Sequence, residues 1–350
     1  MRQHGWTGIR LAVAILGVGG LLASQGASST AAGAAGAAPG APSRRIAIPG
    51  GARGIGFDDM GYVPELHRVV VPAGQTGALA LIDPEPLALT LIPGITTPRR
   101  TAQGHGEGTT SVTYARGFLF ASDRDTHQVV IVDPRNSSVL GRVPLSGGPD
   151  YLRYDPVARE LWVTEPGVRQ IEVFGVDFAP SPTLRRVATI AVPGGPESLI
   201  IDARRGLAYT NLWKRETLVI GVASRRIEAR WPNGCEGSRG LAWDAQSRFL
   251  FVGCAEGKVD VLDAGHGGRV LGTAATGRGV DIIAYDAARH RVYAPGARSA
   301  TMTTLHVDPH GHLTLEKVYR TAHGAHCVAV DPAGRAFVCD PRHGRVLEFD

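Results

Sequence analysis

Short apolar runs of four to six residues recur along the chain, each bounded by Gly, Pro, Asp or Asn. One type of run ends in Asp: Tyr151–Asp155, Ser198–Asp202, Gly240–Asp244, Ile282–Asp286 and Cys327–Asp331. A turn follows, and then a second run, as in Leu161-Trp-Val-Thr164, Leu207-Ala-Tyr-Thr210, Phe249-Leu-Phe-Val252 and Ala336-Phe-Val-Cys339. A third run again ends in Asp, as in Val130–Asp133, Val259–Asp263, Leu305–Asp308 and Val346–Asp350. A fourth closes at Gly-Gly or Pro-Gly. The runs are rich in β-branched and aromatic residues, which is strand chemistry, and no segment between them shows the 3.6-residue period of a helix.

Four strands per unit, repeating about every 40–50 residues, is the signature of a propeller blade. The units fall near 54–97, 104–147, 148–194, 195–237, 238–279 and 280–324, and a last unit at 325–350 stops after its third strand. The missing strand has a candidate at the other end of the propeller sequence. Arg45-Ile-Ala-Ile-Pro-Gly-Gly51 matches the fourth strand Thr189-Ile-Ala-Val-Pro-Gly-Gly195, and it leads into Ile55-Gly-Phe-Asp58 as Gly195 leads into Ser198–Asp202. The pattern therefore predicts an all-β, seven-bladed β-propeller of four-stranded blades over 44–350, with the N-terminal strand completing the last blade. That pairing removes a sheet edge that would otherwise recruit other chains.

The second and third strands resemble those of the YVTN repeat β-propellers, a group that includes the YncE-like proteins. Leu161-Trp-Val-Thr-Glu165 and Leu207-Ala-Tyr-Thr-Asn211 stand at the signature strand, and Val130–Asp133 with Val139-Leu-Gly-Arg-Val-Pro144 stands at the next two. The resemblance spans roughly 45–350. It implies the fold and an exported protein that binds rather than one defined reaction, because the motifs are structural.

Composition adds compartment. Met1–Arg10 carries Arg2 and Arg10 and no acid, Leu11–Leu22 is apolar, and small residues follow; this reads as a signal peptide over 1–27 and a periplasmic or secreted destination. An apolar stretch this short does not suit a membrane span. Residues 28–43 read as an Ala/Gly/Pro-rich linker. The formal charge is +5, loss of Arg2 and Arg10 leaves about +3, and no Lys/Arg block of the nucleic-acid-binding kind is present. The chain reads as a monomer. The four cysteines suit pairing in an oxidising compartment. If the last blade turns over Asp331–Arg335, Cys327 faces Cys339, and Cys235 and Cys254 fall on one rim of the fifth blade. The expected bridges are Cys327–Cys339 and Cys235–Cys254; the alternative is four free buried thiols.

Candidate chemistry gathers where the first strands begin, around one mouth of the central channel. Counting five residues back from each blade's Asp gives Arg53, Asp150, Glu197, Arg239, Asp281 and His326, with Thr110 in the second blade. Trp213 joins them from a second-to-third-strand loop. This ring fits ion pairs that lock the blades together, or a site for a protein, glycan or small ligand. Non-catalytic binding or scaffolding at this face is the first functional reading. The alternative is a hydrolase or lyase, of the kind found in propeller lactonases or streptogramin lyases. It would draw on His326, His323, Asp281, His105 and Glu107, with no cofactor beyond a divalent metal. There is no GxSxG nucleophile, phosphate loop or dinucleotide fingerprint.

Overall fold

The computed structural model describes residues 40–98 and 107–350. They form seven four-stranded antiparallel sheets arranged as the blades of a propeller. The first blade comprises Gly61–Val63, Arg68–Pro72, Leu79–Ile82 and Leu89–Ile92. The third runs Leu152–Asp155, Glu160–Glu165, Gln170–Asp177, Thr183–Ala191, and the fourth Glu197–Asp202, Leu207–Asn211, Glu216–Gly221, Ile227–Pro232. Second and third strands are buried along nearly their whole length, whereas fourth strands such as Ser138–Pro144 alternate between exposed and partly covered positions. The middle strands lie between neighbouring blades and have apolar residues on both faces; the outer strand has one face in water. The hydrophobic core accordingly sits between blades: Leu79 and Ile92 pack with Leu119 and Val130, and Tyr293 and Met302 pack with Val338 and Leu347.

The repeated Asp is a turn residue. Asp155 Oδ1 accepts hydrogen bonds from the backbone N–H of Val157 and Ala158, Asp244 from Gln246, and Asp286 from Ala288 and Arg289. The Asp of the third run does the same, as with Asp133 and Arg135 or Asp263 and Gly265. Short side chains that bond the backbone two residues ahead favour such turns over continued strand. The blades also share an irregularity: in the second to sixth, the pairing of third and fourth strands shifts register once, at a β-bulge that adds twist.

The last blade closes as the sequence predicts. Arg44–Ala47 pairs antiparallel with Arg345–Phe349, with Ile46 opposite Val346. Ile46 and Ile48 are buried in the core, and Ile48 N–H bonds Gly344 O at 3.0 Å. A side chain at Gly344 would collide with the backbone of Gly51, so this close approach needs two glycines. Ordered pairing begins earlier than the expected linker boundary at 43: Gly40 exchanges backbone hydrogen bonds with blade six, to Val318 O at 3.1 Å and from Arg320 N–H at 2.7 Å. Both expected disulfides are present, with Cα–Cα distances of 5.3 Å for Cys235–Cys254 and 5.7 Å for Cys327–Cys339, and no cysteine among the described residues is free. No helix among those residues is long and apolar enough to cross a membrane. The proposed signal peptide and most of the linker lie outside the described residues.

Candidate functional site at the channel mouth

The strand register corrects one member of the ring. In the third to sixth blades the turn Asp pairs with the residue five positions later, as Asp155 does with Glu160 and Asp202 with Leu207. In the first blade that pair is Val63 with Arg68. Asp58 is therefore not the turn residue; it occupies the ring position itself, and Arg53 lies five residues upstream, exposed on the preceding loop. The ring reads Asp58, Thr110, Asp150, Glu197, Arg239, Asp281 and His326. The sequence missed the shift because Asp58 closes an apolar run like the true turn aspartates. The usable signal was Gly61-Tyr-Val63 followed five residues later by Arg68-Val-Val.

Two adjoining cavities share Arg239 and Asp281 in their walls. One, of 440 Å³, is lined by Asp58, Asp150, Glu197 and Asp281 together with Arg124, Tyr151 and Trp213. The other, of 540 Å³, is lined by Arg53, Arg298, Arg342 and His326 among others. The mouth is thus acidic on one side and basic on the other. Below the acidic side, Tyr151 also borders a 550 Å³ cavity lower in the channel.

Glu197 is 4% exposed, and its Oε2 has no hydrogen-bond partner. Burial first, and then the charges of Asp150 and Asp281, push its carboxyl well above the usual range, against the opposing pull of Arg239. The adjacent backbone is unusual: Ser198 has φ = 67°, rare for a non-glycine residue, and pairing with the second strand skips between Glu197 and Ile200. This bulge sets the Glu197 side chain into the cavity wall, while Ser198 Oγ accepts the Leu241 N–H at 3.0 Å. Such irregularities concentrate at functional sites, where the surrounding structure holds them in place.

The neighbouring charges are organised. Arg124, from the loop after the second strand of blade two, forms an ion pair with Asp150 and donates to Pro149 O at 2.8 Å. Burial works against its charge, but Asp150 and Asp58 outweigh it and raise its pKa. Arg239 lies over the Trp213 ring, 4.7 Å from its centre, and Trp213 is 40% exposed. Burial, followed by Asp58 and Glu197, pushes the Tyr151 hydroxyl well above its ordinary value. Lower in the channel, Arg153 Nη2 reaches Asp59 Oδ1 at 2.9 Å, and Ser111 Oγ donates to Asp59 Oδ2 at 2.6 Å. This contact joins blades one, two and three around the channel.

Of the catalytic candidates, His326 and Asp281 come together in the wall of the 540 Å³ cavity, and the other described ones do not join them. His326 belongs to the basic side, and its ring nitrogens face backbone carbonyls, Nδ1 to Gly324 O at 2.6 Å and Nε2 to Phe57 O at 2.8 Å. Both ring nitrogens are thus engaged by the chain's own backbone. His323 is exposed, and neither it nor Glu107 lines these cavities. His105 lies outside the described residues. Among the described residues, three potential metal ligands converge only at His326–Cys327–Cys339 and at Cys235–Cys254–Asp260. In both clusters the sulfurs are bonded to each other, which does not fit metal ligation.

The class of protein defined by this arrangement is the seven-bladed β-propeller. No protein-family model matches the chain, and no curated protein matches it in sequence. Among solved structures it is similar to a chain of a mitotic checkpoint complex, with a TM-score of 0.72 and 12% identity over 94% of this chain and 97% of that one. It is also similar to a chain of Kuenenia stuttgartiensis hydrazine synthase (TM-score 0.69, 13% identity, 88% and 97% covered) and to U3-55K (0.69, 11%, 87% and 97%). At these identities the likeness is one of fold.

Proposed function

We propose that this chain is an exported, non-catalytic binding protein that takes its ligand at the channel mouth. The observation that carries this reading is the buried Glu197 carboxyl group, whose Oε2 lacks a hydrogen-bond partner in the wall of a 440 Å³ cavity beside an exposed Trp213. An unsatisfied buried polar atom is costly, and a ligand that hydrogen-bonds it relieves that cost. Binding is favoured over a hydrolase or lyase because both nitrogens of His326 are engaged by the backbone, and acid–base catalysis needs a group free to exchange a proton with substrate. Placement among YVTN/YncE-like propellers belongs to the same reading and rests on the motif residues Leu161–Glu165 and Leu207–Asn211. Export is supported by the two disulfides and by the character of residues 1–27.

The test is a thermal-shift screen of the whole protein against small charged, neutral and glycan compounds, repeated with Trp213→Ala and Asp150→Asn. Hits whose stabilisation is lost in both variants support the mouth site. Hits that stabilise the variants as well as the parent would move binding elsewhere. Turnover of a lactone or ester, abolished by His326→Ala, would replace the reading with the enzymatic one.

A further inference from the structure

The mouth is divided by charge, and the division is built from different elements. On the acidic side, four carboxyl groups face two guanidinium groups: Asp58, Asp150, Glu197 and Asp281 against Arg124 and Arg239. Arg124 is already in an ion pair with Asp150, and Arg239 lies over the Trp213 ring. Glu197 is 4% exposed and its Oε2 is left without a partner; a donor that also carries positive charge satisfies it best and draws the carboxyl toward its ionised form. Across the shared wall of Arg239 and Asp281, the second cavity presents Arg53, Arg298 and Arg342 from three separate loops. All three are exposed, as phosphate- or carboxylate-binding arginines at an entrance commonly are.

Resting on the binding function proposed above, we infer that the ligand is a dipolar small molecule. Its ammonium group enters the acidic cavity to meet Glu197, and its carboxylate or other anionic group lies over the arginines of the adjoining cavity. A simple diamine fits only the first half and a dicarboxylate only the second. Two subsites of opposite sign, each disfavouring the other's charge, confer selectivity through repulsion as much as attraction. Trp213, 40% exposed in the wall of the acidic cavity, offers apolar surface to the aliphatic spacer.

The experiment is isothermal titration calorimetry of the whole protein with straight-chain ω-amino acids of four to eight carbons, and with cadaverine and adipate as single-charge-type controls. Trp213 fluorescence, compared with Trp213→Phe, reports whether binding is at the mouth. At least one ω-amino acid should bind about tenfold or more tightly than either control, as expected for an added charge-assisted contact. Glu197→Gln should weaken the ω-amino acid and cadaverine alike by about tenfold or more, and Arg298→Ala/Arg342→Ala should weaken the ω-amino acid but not cadaverine. Asp281→Asn serves as a second acidic-side variant, and unchanged melting temperatures confirm that each variant is folded. Adipate bound at the mouth as tightly as the ω-amino acids would overturn the dipolar assignment while leaving a mouth-binding function standing. Binding of no ω-amino acid of any length, or binding indifferent to Glu197→Gln, would overturn the assignment; binding unaffected by Trp213→Phe and every mouth variant would remove the mouth-site reading as well.

Discussion

Replacing Ile46 and Ile48 with alanine tests the closure of the propeller. Both side chains are buried, Ile46 within the strand that completes the last blade against Arg345–Phe349 and Ile48 just after it. Truncating a buried isoleucine to alanine costs about 2–5 kcal/mol through lost transfer energy and the cavity left behind. The two share one core cluster, so their costs interact, and about 4–8 kcal/mol is expected for the pair. A domain stable by about 5–15 kcal/mol loses much of its margin. Urea unfolding of the full chain measures the loss. Hydrogen exchange locates it: the amides of Arg345–Phe349 should lose protection while those of Glu160–Glu165 keep theirs at mild destabilisation. A chain starting at Gly54 should be worse, with an open edge and self-association visible by light scattering. If the double variant lost less than about 1 kcal/mol and Arg345–Phe349 stayed protected, or if the chain from Gly54 matched one from Pro39 in solubility and stability, the strand would not be the closure.

Three further outcomes follow from particular contacts. Burial, offset in part by Gln170 and reinforced by the nearby Glu172, raises Glu165 from 4.5 to about 7. A carboxyl raised on folding favours the folded state below pH 4.5 and loses that contribution as pH climbs to about 7. Glu165→Gln should therefore match the parent near pH 4 and exceed it by up to about 2 kcal/mol above pH 7, allowing for solvent screening, in melting curves across pH; parallel curves would sink the idea. Removing Cys235–Cys254, which closes a 19-residue separation, should cost about 3 kcal/mol in denaturant unfolding, and native protein should show no alkylatable thiol before reduction. Arg153→Met should destabilise by about 3–5 kcal/mol because it leaves Asp59 buried beside Ser111 alone, and Asp59→Leu in the same chain should recover part of the loss.

What could be read from the sequence was whatever repeats. The closing strand was legible because Arg45–Gly51 matches Thr189–Gly195, the Cys327–Cys339 bridge because turn length fixes which strand residues meet, and Cys235–Cys254 because both fall on one rim of their blade. Blade one was misread by five residues because Asp58 imitates a turn aspartate, which placed Arg53 in a ring position that Asp58 occupies. Five other expected ring positions, Asp150, Glu197, Arg239, Asp281 and His326, line the two cavities together. Arg124 and Tyr151 were not legible as site residues, since the one reaches the mouth from a neighbouring loop and the other lies one residue past the ring position. Nor does any residue pattern announce the left-handed backbone at Ser198, whose hydroxyl accepts a hydrogen bond from Leu241 of the next blade.

The closing strand also sets an order of events. Arg44–Ala47 and Arg345–Phe349 are separated by about three hundred residues of chain, so their pairing is among the least local contacts in the fold. A polypeptide made from its N-terminus at about 5–20 residues per second holds the first strand without its partner for roughly 15–60 s. The first six blades can pair internally as they emerge; the seventh cannot exist until its last strand arrives. The ring therefore cannot close before that distant strand is present.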